Sequence, residues 1–83
     1  MSLILEEAAS LVHGSRQQDY AHPSVDFGRT AKMWSVLFGV PVDPKQVPMA
    51  LIMVKLSRLM NDPTKRDSIV DIAGYAETMA MLL

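Results

Sequence analysis

Four charged residues in the second half of the sequence have the types and spacing to grip a phosphate. Lys55 and Arg58 lie three apart in an otherwise apolar run, a spacing that puts both on one face of a helix. Asp67 and Asp71 lie four apart in the next segment and share a face for the same reason. Two helices joined by a short loop pack antiparallel. In that hairpin Arg58 faces Asp67 and Lys55 faces Asp71 in a single register. Ser68 and Tyr75 flank the carboxylates, and Gly74 permits a close approach by backbone or ligand. Two readings follow. In one, the charges form a salt-bridge ladder that fixes the register of the hairpin, since buried charges need partners. In the other, Lys55 and Arg58 bind phosphate oxygens while Asp67 and Asp71 orient them or hold a cation.

A second group is Asp19-Tyr20-Ala21-His22-Pro23, which places an acid, an aromatic ring and an imidazole in one polar segment. As a binding element, Tyr20 stacks on a base and His22 contacts phosphate. As structure, Tyr20 covers a small core and His22 sits at the surface or caps a helix. The candidate ligand-binding residues are therefore Lys55, Arg58, Asp67, Asp71, Tyr75, Tyr20 and His22. No nucleophile pairs with His22, so acyl transfer has no support and no catalytic residue is assigned. No glycine-rich phosphate loop or zinc spacing occurs, and cations stand where further carboxylate ligands would be needed, so no metal-binding residues are assigned. His13 reads as a helix C-terminal residue favoured by the dipole, and Glu6 and Glu7 as a solvated first turn.

These groups need helices to position them. Leu3, Ile4, Ala8, Leu11 and Val12 recur at helical steps, with Ser2 as cap and Gly14 as stop. Gly14 to Pro23 is polar and reads as an ordered loop or broken turn. Ser24 is the expected cap of a second helix carrying Phe27, Thr30, Ala31, Trp34, Leu37 and Phe38, ended by Gly39, with Trp34 and Phe38 in the core. Val40-Pro41-Val42 is extended. Asp43-Pro44-Lys45-Gln46 starts a short turn as a capping box, and the third helix begins at Val47 or Pro48. From Met49 to Met60 it is apolar nearly all round, as in a helix that is central or covered by a partner. Asn61-Asp62-Pro63 stops it. Thr64 caps a fourth helix whose stripe is Ile69, Ile72, Ala73, Ala76, Met79, Ala80 and Leu83. The fold class is all-α: one small domain over residues 1–83, four helices, the last two an antiparallel hairpin.

Eighty-three residues give a marginal core, and the run Met79 to Leu83 is apolar to its last residue. A homo-oligomer, a dimer, is expected to complete the fold. Eight Lys and Arg against nine Asp and Glu exclude bulk electrostatic binding to nucleic acid or an anionic membrane. Cysteine is absent, which removes disulfides, thiolate metal sites and cysteine catalysis. No apolar run is long enough to span a bilayer, and the first residues carry Glu6 and Glu7 rather than a basic leader. A cytoplasmic location is expected.

Several stretches resemble a family of small phage- and prophage-encoded proteins with no assigned activity. They are Ile4-Leu5-Glu6-Glu7-Ala8 leading to Val12-His13-Gly14, the segment Arg16 to Pro23, Phe27 with Trp34, and Lys55-x-x-Arg58 followed by Arg66-Asp67-Ser68-x-x-Asp71-Ile72-Ala73-Gly74-Tyr75. The family carries glycine where this chain has Ala21, which implies a backbone here that accepts a side chain. The resemblance implies a phage accessory protein in the host cytoplasm, with a nucleotide or a host protein as partner. More distantly, the last two helices are similar to the all-α nucleoside-triphosphate pyrophosphatases, the MazG-like superfamily. That superfamily holds magnesium between a Glu-x-x-Glu helix and a Glu-x-x-Asp helix. The first motif falls on Lys55-x-x-Arg58 and the second on Ser68-x-x-Asp71, so only Asp71 matches. The likeness implies a metal-depleted relative that keeps phosphate affinity. The alternative is a non-catalytic helical oligomer or interaction module.

Overall fold

The computed structural model describes residues 3–83, and among them every regular element is helical. Helix α1, Ile4–Ser10, runs into a wide turn at Leu11–Ser15 and continues as α2, Arg16–Tyr20. Gly14 leaves the helical region there (φ −110°, ψ −108°), so the expected stop is a kink. Arg16–Tyr20, read from sequence as a loop, is helical. Its residues are mostly good helix formers, but no apolar stripe marks them. Helices α3, Pro23–Phe38, α4, Gln46–Asn61, and α5, Arg66–Met81, complete the all-α fold. Ser2, the expected first cap, lies outside the described residues.

The caps differ from expectation in instructive ways. Helix α3 starts two residues early because Pro23 takes the first helical position, where its missing N–H costs nothing. His22 therefore becomes the cap, its Nδ1 accepting the Ser24 N–H at 3.1 Å. The box at Asp43 forms as read: Gln46 Oε1 accepts the Asp43 N–H at 2.8 Å, and Asp43 Oδ1 accepts the Lys45 N–H at 2.9 Å. Thr64 does not cap α5. Its N–H and hydroxyl donate instead to Asp62 Oδ1, at 3.0 and 2.7 Å, closing the turn between α4 and α5.

α4 and α5 pack against each other as the expected hairpin, and α1 lies along α5 in the same direction. Glu7 pairs with Arg66 near one end of this contact and His13 Nε2 meets Glu77 Oε2 at 2.6 Å near the other. Between them Gly74 faces Val12, whose Cγ2 would lie 3.5 Å from a Cβ added at that glycine. The core is small: Phe27, Ala31 and Val47 are buried, with Trp34, Val42, Leu51, Tyr75 and Leu82 packed against them. Ala8, Val12 and Val70 are buried as well.

Two core expectations fail. Phe38 is exposed and touches Trp34 edge-on, ring centroids 6.4 Å apart, because the end of α3 is not covered by the rest of the chain. The buried side of α5 is Ser68, Val70, Gly74 and Thr78, not the apolar stripe through Ile69 and Ile72. α5 is approached by both α4 and α1, and close approach on two sides selects small residues over bulky apolar ones. The displaced stripe is half or fully open to solvent.

The chain exposes 5678 Å², against roughly 4,900 Å² expected for a monomer of its mass. Its radius of gyration is 13.3 Å, where a compact chain of this length gives about 12 Å.

Ala21 corrects another expectation. Its backbone sits at φ 72°, ψ −177°, a region that essentially only glycine occupies without strain. Relief of about 1–3 kcal/mol of strain, less about 0.4–1 kcal/mol of added unfolded-state entropy, predicts that Ala21→Gly stabilises the fold by about 1 kcal/mol. Thermal unfolding should show a melting temperature raised by about 4–8 °C. The turn carries a pH signature. The Thr64 hydroxyl, and then the Thr64 N–H, hold the Asp62 carboxyl below its ordinary value. Its contribution is complete above the ordinary carboxylate range and is lost as pH falls through the lowered native value. Thr64→Ala should flatten that part of the acid limb of a stability–pH curve.

Candidate functional site

α4 is held to α5 by one charged contact at mid-hairpin. Lys55 Nζ lies 2.9 Å from Asp71 Oδ2, with only 15% of the lysine side chain and 34% of the aspartate side chain exposed. This is the register expected from the sequence. The second rung is absent: among the described residues no ion pair joins Arg58 to Asp67, and both are exposed. The reason is energetic. An exposed pair is worth about 0–1 kcal/mol, too little to hold two long side chains against water.

The unpaired charges instead face an open cleft of about 650 Å³ between α4 and the start of α5, lined by Lys55, Arg58, Asp62, Lys65, Asp67 and Asp71. Three cations thus stand among three carboxylates, with Arg58 and Lys65 on the cationic side beyond the Lys55 pair. Ser68 also lines the cleft from its buried position on α5. Tyr75, expected in the same site, is not there.

Tyr75 lines a second cavity, of about 230 Å³, with Arg16, Asp19, Tyr20, Thr78 and Asp71. Asp71 is the wall common to both spaces. The second cavity is organised by Arg16, which the sequence reading left among undistinguished loop residues. Its guanidinium carbon lies 5.2 Å from the Tyr20 ring centroid, 5.6 Å from Phe27 and 5.7 Å from Tyr75. Its Nη2 also reaches Asp26 Oδ2 at 3.5 Å. A helical spacing of four between Arg16 and Tyr20 was the available signal, since Arg stacks on aromatic faces. Thr78 is fully buried and donates its hydroxyl to the Tyr75 carbonyl at 2.7 Å. His22 is brought to neither space; besides capping α3 it lies 2.9 Å from the Ser24 hydroxyl.

Among the described residues, no three His, Asp or Glu side chains gather to hold a metal ion. Magnesium held as in the pyrophosphatases does not fit the residues present, because Lys55, Arg58 and Ser68 stand at three of the four ligand positions. Nor does any described helix have the length and apolarity to cross a membrane. The arrangement is suited to recognition: charged donors in an open cleft, and rings with a guanidinium in a smaller space beside it.

Residues 3–82 match the family described as Domain of unknown function (DUF6378), and the chain belongs to that family. It is 36% identical over 74 residues to the gene 55 protein of Mycobacterium phage L5 and 37% identical over 73 residues to the gene 55 protein of Mycobacterium phage D29. Each alignment covers 88% of this chain but 47% and 48% of those proteins, so the chain spans about half the length of the curated relatives it matches. No solved structure matches it. The expected kinship with phage proteins is thereby shown.

Burial separates the two cations. Lys55→Ala leaves a partly buried carboxylate without its partner and should cost about 1–2 kcal/mol. Arg58→Ala removes an exposed, unpaired side chain and should change stability by less than about 0.5 kcal/mol. Urea denaturation of the two variants beside the parent protein measures both, and equal costs would contradict the geometry.

Proposed function

We propose that this member of the DUF6378 family binds a nucleotide, with phosphates in the Lys55–Arg58 cleft and the planar ring in the cavity beside Tyr20 and Tyr75. The observation that supports this most directly is the position of Asp71, which lines both spaces and makes a charged cleft the neighbour of an aromatic-lined cavity. Arg58 presents a planar fork suited to two phosphate oxygens, and no carboxylate among the described residues engages it in an ion pair. Lys65, at the start of α5, and the Lys55 ammonium add point charges to the same cleft. At about 230 Å³ the cavity falls below the ~300–1,000 Å³ that encloses a whole drug-sized ligand. It suits a ring alone, leaving sugar and phosphates to the cleft. Asp19, Asp71 and the Ser15 hydroxyl line its polar margin and are placed to read ring edges.

The chemistry proposed is capture of the ligand, through charge in the cleft and stacking in the cavity. The phage origin of the relatives supports an accessory role in the cytoplasm of an infected cell, toward a host nucleotide or nucleotide signal. A helical self-association module is the second reading. The outward apolar face of α4 favours it, and the two readings are compatible.

Thermal unfolding with nucleoside triphosphates, cyclic dinucleotides and inorganic pyrophosphate, each with and without magnesium, tests the proposal. A ligand at 100 times its dissociation constant adds about 2.7 kcal/mol, a shift of about 10–20 °C for a domain this size. The shift should vanish in Arg58→Ala. Tyr20→Ala should weaken nucleotides about tenfold while leaving pyrophosphate unchanged, and Tyr20→Phe should restore them. No shift with any of these ligands would overturn the proposal.

A further inference from the structure

The apolar positions of α4 do not all go to the core. Met49, Met53, Leu56 and Met60 are 45%, 64%, 49% and 87% exposed. Their spacing is four, three, four, which in a helix of 3.6 residues per turn makes one straight stripe. Lys55, which meets α5, lies on the other side of the helix from this stripe, so the hairpin cannot cover it. Nothing else in the described chain does. Exposed Met33, Val36 and Leu37 at the end of α3 add further apolar surface.

We propose that two copies of this chain pack α4 against α4, antiparallel, along the Met49–Met53–Leu56–Met60 stripe. The amount of surface fits one partner. The chain exposes 5678 Å², roughly 800 Å² more than a monomer of its mass, and a standard interface removes about 800 Å² from each side. The spacing also fits a second copy in particular. Four-three-four reads the same in both directions, so a two-fold axis at the middle of the stripe sets Met49 against Met60 of the partner subunit and Met53 against Leu56 of the partner subunit. The antiparallel arrangement also opposes the two helix dipoles. The unbranched side chains of Met can fill such a seam without demanding one fit.

Light scattering at micromolar to hundred-micromolar concentration should give a mass of 18.4 kDa, twice the 9.2 kDa chain. Met53→Asp should give the monomer with an unchanged helical circular dichroism spectrum, since the side chain it replaces is exposed. Because the chain has no cysteine, oxidative cross-linking reports orientation. Met49→Cys with Met60→Cys in one chain should cross-link dimers, whereas Met60→Cys alone should not, its copies lying about 16 Å apart along the axis. A monomer across that range would overturn the proposal. So would a dimer that survives Met53→Asp, or efficient cross-linking by Met60→Cys alone, which is the mark of a parallel pair. Capture of a different protein by this stripe in a chain that stays monomeric would equally replace it.

Discussion

The contact between Lys55 and Asp71 fixes more of this molecule than any other side-chain pair. A lysine with little solvent access must have a partner, and in the register adopted Asp71 supplies it. A slip of one helical turn toward the end of α5 would set the ammonium against Tyr75 in place of a carboxylate. With the register set, Asp71 is held at the boundary between the charged cleft and the aromatic cavity, and the two become neighbours. The turn itself is closed locally by Asp62 and Thr64, and Gly74 meets Val12 on α1. Asp71 is thus both the partner of Lys55 and a wall of both spaces.

The N-terminal third depends on a different kind of contact. α1 and α2 bury only Ala8 and Val12, too little apolar surface to hold a kinked helix in place. Beside the Glu7–Arg66 and His13–Glu77 pairs, Arg16 holds it, lying over Tyr20, Phe27 and Tyr75 and pairing with Asp26. Its stem covers apolar surface while its head satisfies a carboxylate. One side chain therefore ties α2 to α3 and α5, and the aromatic cavity is a consequence of that tie. The strained backbone at Ala21 lies just beyond Tyr20, where the chain must turn sharply enough to begin α3 at Pro23.

What the sequence disclosed follows from the range of each interaction. The class, the hairpin, the box at Asp43 and the Lys55–Asp71 pair are set by local periodicity or by one short loop, and all were legible. The helical state of Arg16–Tyr20 was not, because it is held by stacking on residues far along the chain. The face that α5 buries was misread for a related reason. Apolar periodicity names the bulky side of a helix, and here two neighbours select the small side, Ser68, Gly74 and Thr78. Of the candidate residues, Lys55, Arg58, Asp67 and Asp71 line one cleft although Arg58 and Asp67 do not pair, His22 caps a helix as its structural reading had it, and Arg16 carried no signal beyond its spacing from Tyr20.

The bulky side left outside is the other half of the same choice. A chain of 83 residues has little interior to offer, and here apolar side chains of α3, α4 and α5 stay uncovered. By presenting small residues to α1 and α4, α5 shortens the distance between helices and leaves apolar side chains on the periphery. α4 does the same, giving Lys55 to the hairpin and its methionine stripe to solvent. The arrangement separates two kinds of surface on one helix. Lys55 and Arg58 line the charged cleft, while Met53 and Leu56 are apolar and face away. A substitution on one side changes no contact on the other, since residues that far around a helix share no partners. The proposed ligand capture and the proposed self-association would therefore be gained or lost independently, and the position of each residue around α4 decides which of the two proposals it bears on.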